Sequence, residues 1–231
     1  MKPLPQSSHA CNCNPAAATG AGNTLWDRIL RQPDGHIGSV EKRTHKLWVL
    51  EGIYYTWWNA RIFDEVLVFA ADNKRRDPTM DTLRVDIDAA RCRISVYDNG
   101  QGVPIEEVHR GEEGAVYVPE VIFGRLSGEC DSNVKEGEIA GGRRGYGVKL
   151  ANIFSTEFVV ETADGPGQKK YKQVFSENMG KKSEPEITDY RKGVNWTMVT
   201  FKPDLAKFNM TYLEEDVLEL MKKRVFDMAA S

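Results

Sequence analysis

Two carboxylates stand seven residues apart in the stretch DEVLVFAADN, at Glu65 and Asp72, with Phe69 between them. On a helix that spacing puts all three on one face. A glutamate on such a face, beside a bound nucleotide, has the chemistry of a general base for water. The alternative is a solvated charged face. Further along, DNGQG places Asp98 at the end of an alternating apolar run, with Gly100 and Gly102 just beyond. A carboxylate at a strand end can accept from an exocyclic amine, and the same pattern also suits an Asx-type turn. The third stretch, GGRRGYGVKL, sets Gly141, Gly142, Gly145 and Gly147 before a helix, followed by Lys149. Glycines let backbone approach a ligand closely, and free N–H groups at a helix start attract an anion. That stretch is either a phosphate cradle or a plain tight turn.

These residues need elements to hold them. ARIFDEVLVFAADNKRR predicts a helix with Ile62, Phe63, Val66, Leu67 and Ala70 on its apolar side, stopped by Asp77-Pro78. LRVDIDAARCRISVYDN predicts two strands around a tight turn, with Leu83, Val85 and Ile87 alternating, then Cys92, Ile94 and Val96. VPEVIFGRL predicts a short helix, and VKLANIFS the start of another. STEFVVETAD, KKYKQVFS, EPEITDY and NWTMVTFKPD predict successive strands. Thr24 is the expected N-cap of TLWDRILRQ, with Asp27 as its capping-box partner, and Pro33-Asp34-Gly35 a turn. HKLWVLEGIYY reads as extended. MTYLEEDVLELMKKRVFDMAA reads as a closing amphipathic helix with Thr211 as N-cap. The expected fold class is α/β (α+β): a two-layer sandwich whose mixed, largely antiparallel sheet is covered on one face by helices.

The 231 residues suit one domain with a tail: residues 1–23, rich in Ala, Ser, Asn, Pro and Gly, read as disordered, and 24–231 as the folded domain. A net charge of −3 argues against a nucleic-acid binder held by phosphate contacts alone. The four cysteines have neither a disulfide framework nor zinc-ligand spacing, which points to a reducing compartment. No apolar run reaches the roughly 20 residues of a membrane span, and the start lacks the order of a secretory signal.

An acidic helix, then D-x-G-x-G, then a Gly-rich helix start, then WTMVTF, is the ordered set of the GHKL ATPases. ILRQPDGHIGSVE, IFDEVLV, AADNKRRDP, VYVPEVIFG, GGRRGYGVKLANIFSTEF, ETAD and TFKPDLAKFNM resemble, in order, the N-terminal ATPase domain of eukaryotic type II DNA topoisomerases, over about residues 25 to 229. The resemblance implies a Bergerat-type ATP pocket. It gives Glu65 as activator of the attacking water, Asp98 as the adenine-amine acceptor and Thr197 as support for the adenine edge. It places Arg143, Arg144, Gly145, Tyr146, Gly147 and Lys149 around the phosphates. Asp72, Gly100 and Gly102 complete the ATP-binding set. It also implies ATP and magnesium as cofactors, and a nuclear location. The partners it implies are ATP, a second copy or a full-length topoisomerase II through clamp closure, and DNA only within a full-length enzyme.

The sequence departs from that family at the metal. The family carries Asn where Phe69 stands, and a phenyl ring has no oxygen for magnesium. Either Phe69 sits on the Glu65 face, or the helix turns slightly and it joins the core. On an ungapped alignment Glu129, Cys130 and Asp131 replace a Ser-Ser-Asn run. At about 4 Å and an effective dielectric near 20, each carboxylate–phosphate pair costs about 4 kcal/mol before screening. Arg144 replaces an Asn, and either binds phosphate or pairs with Glu129 or Asp131. Tyr54, Tyr55, Trp57 and Trp58 replace the family's usual lead-in to the helix. The transducer and cleavage domains are not expected within this length. Two expectations stand side by side: an ATP-hydrolysing clamp domain, or a fold-retaining interaction or regulatory domain with impaired hydrolysis.

Overall fold

Strands half-buried on one face need apolar residues at every second position, and the segments with that alternation pair into one antiparallel sheet. A computed structural model describes residues 24–41, 43–45, 55–57, 61–109, 115–126 and 144–229. In chain order the elements are α1 (Leu25–Arg31), β1 (Arg43–His45), β2 (Tyr55–Trp57), α2 (Arg61–Arg76), β3 (Leu83–Asp88), β4 (Arg93–Asp98), β5 (Glu107–His109), β6 (Ala115–Tyr117), α3 (Val118–Gly124), α4 (Arg144–Ile153), β7 (Ser155–Asp164), β8 (Lys169–Ser176), β9 (Lys181–Lys182), β10 (Glu186–Asp189), β11 (Trp196–Pro203) and α5 (Glu215–Ala229). The main sheet runs β10-β8-β7-β11-β4-β3, with β9 on β8; β1–β2 and β5–β6 form two small ladders.

The register stacks the inward side chains into transverse rungs. One is Ile87, Ile94, Phe201, Phe158 and Phe175; the next is Val85, Val96, Val199, Val160 and Gln173. The third turns polar, with Asp98, Thr197 and Thr162 in line before Tyr171. Helices α2, α3, α4 and α5 cover this core. Helix α2 packs on α4, β4 and α5, and α3 packs on α4 and β8. The sandwich with helices on one face is therefore as expected.

Local signals succeed and fail for identifiable reasons. Thr24 caps α1 as expected, accepting from the Asp27 amide at 3.1 Å while Asp27 Oδ2 accepts the Thr24 amide at 3.3 Å. Pro33–Gly35 forms a 3₁₀ turn. Thr211 does not cap the last helix: α5 starts at Glu215, and its first turn closes on the Glu214 carbonyl. Buried Met210 and Leu213 pin the chain before the helix begins. The glycine stretch is also corrected. Arg144, Gly145, Tyr146 and Gly147 are not a loop ahead of a helix at Val148; they are its first turn. In HKLWVLEGIYY only the two ends are described, as the last residue of β1 and the first of β2; residues 46–54 lie outside the described residues. The tail at 1–23 lies outside them too.

A buried polar network ties α3 to the sheet. The Glu120 carboxylate, 4% exposed, accepts from Arg125 Nε at 2.8 Å, Gln173 Nε2 at 2.9 Å and Lys182. Two cations and an amide satisfy it, which is what a buried charge requires.

Phe158 is fully buried and touches the rings of Phe175 and Phe201 across the lowest rung. Phe158→Ala is expected to lower the unfolding free energy by about 3–5 kcal/mol, read from urea denaturation. A loss under about 1 kcal/mol is incompatible with a core centred on that rung.

Candidate functional site

The polar rung is where apolar packing stops and chemistry becomes possible. Strand pairing sets Asp98 opposite Thr197, and Thr197 opposite Thr162. All three are at most 1% exposed. The Thr162 and Thr197 hydroxyls lie 3.1 Å apart, and Thr162 Oγ1 also accepts the Val103 amide at 3.2 Å and donates to the Trp196 carbonyl at 2.9 Å. Asp98 Oδ1 accepts from Asn73 Nδ2 at 2.8 Å and from the Gly100 amide at 3.0 Å. The Gly100 bond is the Asx-type turn; the Asn73 bond ties the strand end to α2. The Asx-type turn reading of DNGQG is therefore present.

Burial lifts the Asp98 carboxyl to about 6, against hydrogen bonds from Asn73 and Gly100 and the charge of Arg76, all of which favour its ionised form. The glycines beside it are demanded by geometry. Gly102 has φ +72°, and a Cβ there would lie 2.9 Å from the Ala163 carbonyl oxygen; one on Gly100 would lie 2.8 Å from Asn73 Cβ.

The second cluster lies where α2 meets α4. Glu65 is half-buried, 3.3 Å from Arg61 Nε one turn back. Its carboxylate rests on Gly147 so closely that a Cβ there would sit 1.8 Å from Glu65 Oε2. Gly147 is thus the residue that admits the acid to the first turn of α4. Tyr146 precedes it, 38% exposed, its hydroxyl 2.6 Å from His36 Nδ1. Lys149 is buried in the same helix. Arg143 lies outside the described residues, as do Glu129, Cys130 and Asp131; Arg144 and Gly145 are described only as helical backbone.

Phe69 does not share the Glu65 surface. It is 7% exposed, belongs to the core and meets Phe123 of α3 edge-on, with ring centroids 5.1 Å apart at 66°. The expected facing of α2 is corrected accordingly: buried residues run through Ile62, Phe63, Val66, Leu67, Phe69, Ala70 and Asn73, so helices flank it on more than one side. Asp72 is not drawn to the polar rung. It pairs with Arg75 at 3.6 Å and lines an open groove of about 570 Å³ with Val68, Met80, Val225 and Met228.

The residue that does reach Asp98 is Asn73, which also accepts from Arg76. Its signal was legible: it continues the Val66–Ala70 stripe, and an amide in an apolar stripe flags a buried partner. Thr162 gives the same signal, a hydroxyl at the inward position after Phe158 and Val160.

No protein-family model matches the chain. It is 58% identical over 215 residues to DNA topoisomerase 2 of Pisum sativum, covering 89% of this chain and 14% of that protein. To DNA topoisomerase 2 of Drosophila melanogaster it is 46% identical over 214 residues, with the same two coverages of 89% and 14%. The solved ATPase region of Saccharomyces cerevisiae topoisomerase II superimposes with a TM-score of 0.78 at 44% identity, over 89% of this chain and 56% of that one. The chain thus spans 14% of the length of these curated relatives. The 43K ATPase domain of Thermus thermophilus gyrase B, at 23% identity and a TM-score of 0.59, shares the fold.

Asp98 sets a pH dependence. Its folded value of about 6 lies above the ordinary 3.8, so between them the folded chain holds a proton that the unfolded chain has released. The resulting stability is fully present below the ordinary value and is lost as pH rises through about 6. Urea midpoints are expected to fall from pH 4.5 to pH 7, and to fall less in Asp98→Asn; equal slopes in both proteins exclude this assignment. Gly147→Ala tests the α2–α4 contact. Alanine normally adds about 1 kcal/mol at a helical glycine. That gain is expected only in a Glu65→Ala background, where the clashing carboxylate is gone, and a double-mutant cycle without coupling excludes the contact.

Proposed function

Because this chain is homologous to the N-terminal ATPase region of the eukaryotic type II DNA topoisomerases, we propose that it is a nucleotide-binding domain that keeps the adenine end of an ATP site and has lost the magnesium chemistry of the phosphate end. The observation that carries the first half is the buried Asp98, ionised above about pH 6 and held by Asn73 beside Thr197 and Thr162. An ionised carboxylate there accepts the exocyclic amine of adenine, and the two hydroxyls supply further contacts at the base edge. Gly100 and Gly102 bring backbone close to the base. Lys149 and the first turn of α4, with Tyr146, Gly147 and Arg143–Gly145, take the phosphates.

Among the described residues magnesium does not fit. It needs hard oxygen ligands in near-octahedral array, and at the position where the family supplies one the side chain is Phe69, packed on Phe123. The oxygen-bearing side chains on either side along α2 are engaged: Glu65 by Arg61, and Asn73 by Asp98 and Arg76. No step of hydrolysis is therefore assigned. Glu65 keeps the place of the water-activating base, and its role here is to fix α2 against Gly147.

In this reading residues 24–231 form the GHKL ATPase-like domain. Duplex passage, DNA contact and ATP-driven clamp closure belong to a full-length topoisomerase II, which this domain acts within or alongside in the nucleus. A second reading, an interaction or regulatory domain without turnover, is favoured by Phe69, Glu129 and Asp131.

Calorimetry with ATP is expected to give the same affinity with and without magnesium, and steady-state assays no turnover above background. Turnover that Glu65→Ala abolishes would overturn the proposal. Phe69→Asn combined with Glu129→Ser and Cys130→Ser is expected to strengthen ATP binding and make it magnesium-dependent.

A further inference from the structure

His36 stands 110 residues from Tyr146 in sequence, yet its Nδ1 lies 2.6 Å from the Tyr146 hydroxyl. The histidine is held from behind. It caps the 3₁₀ turn Pro33–Gly35, donating its own amide to the Pro33 carbonyl at 2.9 Å, and the next residue, Ile37, is 1% exposed and anchored in the core. The imidazole therefore approaches α4 from a backbone that is fixed on both sides. Tyr146 is the reverse case. It sits in the first turn of α4, beside the Gly147–Glu65 contact, and its ring is 38% exposed. A half-exposed tyrosine in a first helical turn has several rotamers open to it, and ordering such a side chain on ligand binding costs affinity.

We propose that His36 is a positioning residue of the nucleotide site, holding the Tyr146 phenol in the conformation that meets the phosphates. The proposal rests on the nucleotide-binding reading above. The bond is made in either protonation state of the imidazole: neutral Nδ1 accepts the phenol proton, and a protonated Nδ1 donates to the phenol oxygen. Where Nδ1 carries the proton, as the Nδ1–H tautomer or the imidazolium, the phenol O–H stays free to donate to a phosphate oxygen, and that is the state the proposal uses. Because the contact is at the phosphate end, it leaves the adenine end untouched. It also makes the turn after α1 a part of ligand recognition.

The test separates the two ends of the ligand. Adenosine and ADP are titrated calorimetrically, without magnesium, into the full chain and into His36→Ala, Tyr146→Phe, the double variant and His36→Asn, whose amide reaches the Nδ1 position. His36→Ala is expected to weaken ADP about five-fold, the size of one ordinary hydrogen bond, and to leave adenosine unchanged. Tyr146→Phe should match it, the double variant should lose no more than either single one, and His36→Asn should restore most of the loss. Thermal midpoints of the variants show whether each is folded. If His36→Ala binds ADP as tightly as the unmodified chain, or weakens adenosine equally, the positioning role falls while the nucleotide site stands. If the unmodified chain binds neither ligand, the nucleotide reading falls and this proposal with it.

Discussion

Everything at the candidate site depends on strand register. Asp98, Thr197 and Thr162 come from three strands far apart in sequence, and they form a row only because each strand is paired at one particular offset. The side-chain period of a strand is two, so a slip of one residue would turn each of them to the other face. What prevents the slip is the pair of rungs beneath, from Val85 to Gln173 and from Ile87 to Phe175, whose burial is lost in any other register. The apolar rungs thus fix the geometry of the polar one. Asp98 is consequently buried, and the burial that raises its proton affinity comes from the same packing that places it.

The other half of the site is built by close approach of helices. Gly147 lets the Glu65 side chain rest on the α4 backbone, and Phe69, one turn further along α2, packs on Phe123 of α3. One helix therefore serves three neighbours along its length: a carboxylate to α4, an aromatic ring to α3 and an amide to the end of β4. Such a helix has no single apolar stripe, which accounts for the spread of buried positions around it.

Much of this is legible in the sequence. The β3–β4 hairpin followed from alternation, α1 from its capping box, and the sheet-and-helix sandwich from the order of elements. The losses have physical causes. Thr211 has the chemistry of an N-cap, but Met210 and Leu213 are anchored in the core and the chain bends past it before the helix starts. The first turn of α4 reads as loop because it is glycine-rich, and Gly147 is tolerated in the helix because Glu65 needs the space. Strands β5, β6 and β9 are too short for a period to show. Asn73 continues the apolar stripe of α2, but the sequence does not name Asp98 as its partner; packing does, while the adjacent Asp72 faces the groove beside α5. His36 carries no motif at all; the fold alone brings it to Tyr146.

The edge-on pair of Phe69 and Phe123 has a consequence for how this chain can change over generations. A side chain in polar, open surroundings is replaceable at modest cost. A ring that is part of the core is fitted by its neighbours, and a polar residue in its place is harder to receive. An asparagine at position 69 would bring an amide among apolar atoms and leave the space of a phenyl ring beside Phe123. A polar residue there is then tolerated only together with changes around Phe123, so this position varies only in concert with its neighbours.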